Sequence, residues 1–264
     1  MDKYKKPLIR LVLTAGLSTA LASPVMAEEV MVRGNMLSVS ENYDSAGIDN
    51  AGSININGNM NVNGPFTNRA GGSVNVAMGL NISGSTLTAT NEGTLTAGSY
   101  WSDGHFINNM GAVASLGVIN SSGNVTNKGT LSFEQGSVVA DFDGSGGTTY
   151  ITITKLNYFP EDYNWSGPEN WNKPLIKATG KIKLTSDSKI VINVSEDVLH
   201  RTMEDVVIAV SGEHLVFDHS KTESDLDHAP RSGFITSGND FMVLEHIDVN
   251  MFGISADLRV KRKK

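Results

Sequence analysis

One short motif, met five times, limits what this chain can fold into. The segments Ile48-Asp49-Asn50-Ala51-Gly52-Ser53-Ile54, Phe66-Thr67-Asn68-Arg69-Ala70-Gly71-Gly72-Ser73-Val74, Ala89-Thr90-Asn91-Glu92-Gly93-Thr94-Leu95, Phe106-Ile107-Asn108-Asn109-Met110-Gly111-Ala112-Val113 and Val125-Thr126-Asn127-Lys128-Gly129-Thr130-Leu131 share one pattern. It reads apolar, any residue, Asn, one or two residues, Gly, small, apolar. The asparagines at 50, 68, 91, 108 and 127 are separated by 18, 23, 17 and 19 residues. A period of about 19 residues is too short for helical-pair repeats, which need roughly 33 or more, and falls in the range of solenoids. Leucine-rich repeats have similar periods, but their Leu-x-x-Leu-x-Leu signature is missing.

After each glycine the chain alternates, as in Ser53-Ile54-Asn55-Ile56 and Thr94-Leu95-Thr96-Ala97. Apolar residues at i and i+2 share one face of a strand. The Asn-x-Gly corner reads as turn chemistry, with Asn tolerating the left-handed region and Gly supplying positive φ. Stacked coils bring equivalent residues to about 4.8 Å, the strand spacing. Asn50, Asn68, Asn91, Asn108 and Asn127 are then predicted to form a structural amide ladder, as stacked sheets do with Asn. About six coils, some ~30 Å long, fit before residue 150.

Composition changes there. Residues 28–150 hold 20 Gly and 17 Asn, with 10 acidic and 3 basic residues; residues 151–264 hold 6 Gly, 17 acidic and 14 basic residues. We therefore divide the mature chain at the Gly144-Ser145-Gly146-Gly147 stretch, into repeats over 28–150 and β-rich coils or a cap over 151–264. An open solenoid end exposes strand edges, so a cover is required. The residues from Ser195 to Met203 read as one short helix capped by Ser195. The formal charge of −7 argues against a nucleic-acid partner, which needs a basic footprint. Cysteine is absent, so no disulfide framework, thiolate site or cysteine nucleophile exists.

Residues 1–27 read as a secretory signal. Lys3, Lys5, Lys6 and Arg10 precede a 12-residue apolar run over 11–22, and Val25-Met26-Ala27 presents small residues before Glu28. A membrane-spanning helix needs about 20 apolar residues, so no transmembrane segment is expected in the mature chain. The chain is expected to be exported, to the periplasm, the outer membrane, the cell surface or the medium.

A signal segment followed by Asn-x-Gly-Thr-Leu coils, Asn91-Glu92-Gly93-Thr94-Leu95 and Asn127-Lys128-Gly129-Thr130-Leu131, resembles the passenger region of bacterial autotransporters. The ending Gly253-Ile254-Ser255-Ala256-Asp257-Leu258-Arg259-Val260 is similar to the last strand of such a passenger. The resemblance implies a right-handed parallel β-helix, displayed on or released from the outer membrane. Many members are adhesins and some are proteases or lipases. The family's C-terminal barrel is not matched, because only Lys261-Arg262-Lys263-Lys264 follows. That leaves a truncated fragment with no function of its own, a separate translocator barrel, or a chain that stays periplasmic or is released.

Candidate sites are few. Residues 157–174 carry Tyr158, Phe159, Tyr163, Trp165 and Trp171 with Glu161, Asp162 and Glu169 interleaved. Rigid aromatics beside carboxylates suit sugar rings; the same aromatics suit a packing cluster over the solenoid side. If a glycan binds, Tyr163, Trp165 and Trp171 are the expected contacts. Asp141 and Asp143, two apart, share a strand face and are the place to look for the acid pair of a polysaccharide lyase or glycoside hydrolase. Asp141 to Gly146 also matches the first half of a calcium loop, but Thr152 stands where a bidentate Glu belongs, so an acidic turn is the expectation and no metal. His200, His214, His219, His228 and His246 lack metal-ligand spacing. No cofactor motif and no G-x-S-x-G are present. The expected function is a non-enzymatic, adhesin-like or structural surface module whose partners are glycans or other host or bacterial surface components. The alternative is a carbohydrate-active enzyme on the same fold.

Overall fold

The computed structural model describes residues 11–13, 29–34, 36–154, 174–196, 203–213, 215–218, 235–240, 242–250 and 253–260. Among them the secondary structure is all strand, with no helix. The chain is a parallel β-helix. A ten-stranded sheet forms the first face, and a larger sheet bends around a corner to form the second and third faces. The expected helix after Ser195 falls mostly outside the described residues.

Alternation in the sequence becomes alternation of burial. Ser53–Ile56, His105–Asn108 and Thr148–Ile153 each bury every second side chain. Parallel pairing then lines up the inward residues. Val30, Ile48, Phe66, Ala89, Phe106, Val125, Phe142, Ile182 and Leu215 occupy one column of the first face, and all are buried. Phe66 and Phe106 flank Ala89 in that column, so large and small side chains interdigitate as dense packing requires. Each buried Val, Ile, Leu or Phe contributes roughly 1.5–3 kcal/mol, and no single dominant cluster is needed.

The second and third faces are continuous in the middle coils. Ser73–Ile82, Thr94–Ser102 and Val113–Ser121 each run along the second face, bend, and continue along the third. At the bend the pairing of Thr94–Ser102 with Ser73–Ile82 shifts register between Ala97 and Ser99, while its pairing with Val113–Ser121 keeps register. A Cβ on Gly117 would sit 1.8 Å from the Gly98 carbonyl oxygen, so glycine is obligatory where these bends stack.

The five motif asparagines stack as expected, but their corners work differently. Among described residues the one non-glycine with positive φ is His246, and Gly93 and Gly129 are not in the left-handed region. Glycine is needed there for space: a Cβ on Gly93 would meet the Gly72 carbonyl oxygen at 2.2 Å. Positive φ occurs at Gly71 and Gly111, in the two corners that are longer. Short and long corners alternate along the stack, which accounts for the difference between the 17- and 19-residue gaps; the 23-residue gap also holds a longer turn between Ile82 and Thr88.

Stacking passes through the composition break without interruption. Thr148–Ile153 pairs with Thr130–Glu134 on one side and Lys189–Val194 on the other. What changes is coil length: the first-face strands Phe142–Asp143, Ile182–Thr185 and Leu215–Asp218 follow one another at wider intervals. The stack ends in a switch of direction. Gly253–Val260 pairs antiparallel with both Met203–Ser211 and Met242–Asn250. This hairpin covers the edge of Met203–Ser211 and ends the parallel solenoid. Its outer strand carries Glu245, His246 and Asp248 at a register irregularity, a feature that discourages further edge pairing. At the other end, Leu11–Leu13 pairs parallel with Glu29–Val32.

Candidate functional site

The ladder is the most ordered polar feature of the molecule. Asn50 Nδ2 donates to Asn68 Oδ1 at 2.8 Å, Asn68 to Asn91 at 2.8 Å, Asn91 to Asn108 at 2.8 Å and Asn108 to Asn127 at 2.9 Å. The second Nδ2 hydrogen reaches a backbone carbonyl further along the stack, as Asn68 does to Thr94 O at 2.9 Å and Asn108 to Thr130 O at 2.9 Å. All five side chains are fully buried. A closed chain of aligned amides has no free valence for chemistry, and its role is register.

The ladder ends where Gly144 takes the next Asn position. Asn127 Nδ2 instead donates to Thr149 Oγ1 at 3.1 Å. Thr149 stands in a buried second-face column otherwise occupied by Leu131 and Ile190. Its hydroxyl is the terminator that sequence reasoning missed.

Asp141 and Asp143 do alternate outward around buried Phe142, and both are engaged with backbone. Asp141 Oδ1 accepts from Lys181 N at 2.7 Å, tying one coil to the next. Asp143 Oδ1 accepts from Ser145 N at 3.0 Å and closes a tight turn. Among the described residues no group of three or more His, Asp or Glu converges as a metal site. Tyr163, Trp165 and Trp171 lie outside the described residues, as do His200, His214, His219 and His228. His246 pairs with Asp257 at 2.8 Å on the terminal hairpin.

Part of the outer surface repeats small polar groups. On the second face, Asn55, Asn75, Thr96, Ser115 and Ser132 occupy one outward column, and Asn75 donates to Asn55 at 2.8 Å. At the bend between the second and third faces an open groove of about 410 Å³ is lined by Thr96, Ser115, Gly98, Gly117 and their neighbours. On the first face, Asp49 bridges Arg33 and Arg69 across three coils, and the carboxylate raises the Arg69 pKa.

Among the described residues Met36, Met78, Trp101, Met110 and Val113 are exposed large apolar side chains, and Trp101, on the third face, is the aromatic one. Trp101 is half exposed, while Tyr100 before it is fully buried. Burial pushes the Tyr100 phenol well above its ordinary value, offset in small part by the Ser102 hydroxyl, and no hydrogen bond of good geometry satisfies it. Tyr100 packs against Phe106 at 5.1 Å between ring centroids. The signal for Trp101 was in the sequence. In the alternation Ser99-Tyr100-Trp101-Ser102 one of two adjacent aromatics must face out.

No family profile, curated protein or solved structure matches the chain. The fold itself defines the class, a parallel β-helix with an antiparallel end. No described helix is long and apolar enough to cross a membrane.

Proposed function

We propose that the chain is an exported, non-enzymatic β-helix of autotransporter-passenger type that works as an adhesin-like surface module. One observation carries this reading: an outward column of the second face presents small polar side chains at the strand spacing over five coils, Asn55, Asn75, Thr96, Ser115 and Ser132. A rigid lattice of weak contacts suits a repetitive ligand, because multivalency multiplies individually weak binding. The carboxylates best placed for hydrolysis, Asp141 and Asp143, already serve the backbone.

The test has two arms. Expressed with residues 1–27 intact in a Gram-negative host, the chain should leave the cytoplasm and begin at Glu28 by N-terminal sequencing. The purified chain should adsorb to cell surfaces or glycans and release no reducing ends from polysaccharides. Turnover that disappears in Asp141→Ala would replace this reading with a carbohydrate-active enzyme.

A further inference from the structure

We propose that Trp101, flanked by Asn81 and Asn120 and accompanied by Asp103, is a platform for a neutral, β-1,4-linked glycan lying along the solenoid axis. The proposal rests on the binding-module reading and names its ligand class and its place.

An outward ladder breaks at Trp101. The outward column of the third face runs Asp44, Asn61, Asn81, Trp101 and Asn120, then leaves the carboxamides at Val138, Lys177 and Val210. Asn61 donates to Asp44 at 2.6 Å and Asn81 donates to Asn61 at 2.7 Å. One more carboxamide in the next rung would continue the series to Asn120. Trp101 stands there instead and is 51% exposed. It forgoes the ladder bond and leaves much of its apolar surface in water, so the rung is not explained by the fold.

The backbone that carries the indole is rigid. Both neighbouring strands pair with Thr94–Ser102 through Trp101 itself, with Asn81 and Asn120 as its direct partners. An indole held on a paired strand loses little freedom on binding. Its flat face suits the C–H face of an equatorially substituted pyranose.

Charge and spacing select the glycan. Asp103, two residues on, is exposed in the turn that follows the strand. Ser122 Oγ donates to the Asp103 carbonyl at 3.3 Å, which places that serine one rung away. A carboxylate accepts hydroxyl hydrogen bonds and repels acidic polysaccharides. The column positions on either side of Trp101 are uncharged carboxamides. An extended β-1,4-linked chain advances per sugar by close to the ~4.8 Å between coils. Successive sugars therefore meet Asn81, Trp101 and Asn120 in turn.

The experiment is calorimetric titration of the full chain with cellohexaose and with chitohexaose, using maltohexaose and a hexagalacturonate as the axially linked and acidic controls. One of the first two should bind, and both controls should bind at least about tenfold more weakly. Trp101→Asn should weaken binding by about tenfold or more while keeping or raising the melting temperature, because a carboxamide continues the ladder. Trp101→Phe should retain part of the affinity, and Asp103→Asn should lower it several-fold. Unchanged binding in Trp101→Asn overturns the proposal, as does a melting temperature several degrees lower, which would make the indole a packing residue. If neither hexasaccharide binds yet the chain still adheres to cells, the platform falls and the binding-module reading stands. Glycan binding that survives Trp101→Asn but is lost in Trp165→Ala moves the site to the 157–174 segment.

Discussion

The amide of Asn91 is held by groups on both neighbouring coils, so its removal is felt three times. Asn91→Ala leaves a donor hydrogen of Asn68 without its acceptor, the Asn108 carbonyl oxygen without its donor and the Val113 carbonyl without its side-chain bond. Buried groups left unpaired cost roughly 1–3 kcal/mol each, and partial relaxation lowers the sum. Asn91→Ala should therefore destabilise by about 3 kcal/mol in urea unfolding, against under about 1 kcal/mol for the exposed Asn75→Ala. Tyr100 presents the opposite case. Its phenol is buried without a good partner, so Tyr100→Phe should be neutral or stabilising by about 1 kcal/mol. The raised pKa sets a sign. The folded state holds the neutral phenol after the unfolded chain has begun to ionise, so this contribution is fully present below about pH 10 and is lost as pH rises through the folded value. Alkaline melting curves should show Tyr100→Phe losing less stability above about pH 10 than the parent. The asparagines were legible because they repeat. Thr149 was not, since its task exists only where Gly144 removes the next amide from the column.

At the scale of elements, the corners show where a residue-type rule stops short. Asn and Gly mark turns correctly, yet the reason for Gly93 is the carbonyl of the coil beneath it rather than its own φ. Its counterpart in the next coil is Ala112, in one of the two longer corners; Gly72, at the same place in the other, has no room for a methyl, since a Cβ there would meet Asn68 Oδ1 at 2.5 Å. Gly93→Ala and Gly129→Ala should each lower stability by about 1–3 kcal/mol, whereas Ala112→Gly should cost no more than about 1 kcal/mol; thermal unfolding of the three variants separates the explanations. The strands were read well because half-buried alternation writes the inward face directly into the sequence. Corner length came through only in part, because the uneven asparagine spacing also contains the longer turn between Ile82 and Thr88. Whether a given glycine serves φ or contact did not, because contact is made with a residue about one coil away.

For the whole molecule, period and alternation were enough to specify a parallel β-helix: a unit of about 19 residues cannot bury its apolar face alone and must stack. The ladder followed, since identical residues at one phase of a stacked repeat have to meet. At the composition break near residue 150 the stack continues with wider coils. Loss of Asn and Gly marks wider coils, while the inward column continues through Phe142, Ile182 and Leu215. The antiparallel end was invisible because pairing direction depends on how the chain returns to the stack, and the residues of Gly253–Val260 suit either direction. Trp101 belongs with these. The sequence places it in a strand and beside Tyr100, but its neighbours are Asn81 and Asn120, each about one coil away. The sequence by itself determined what recurs along the chain; only stacking decided which residues from different coils share a column, and that is where the ladder ends and an indole stands alone.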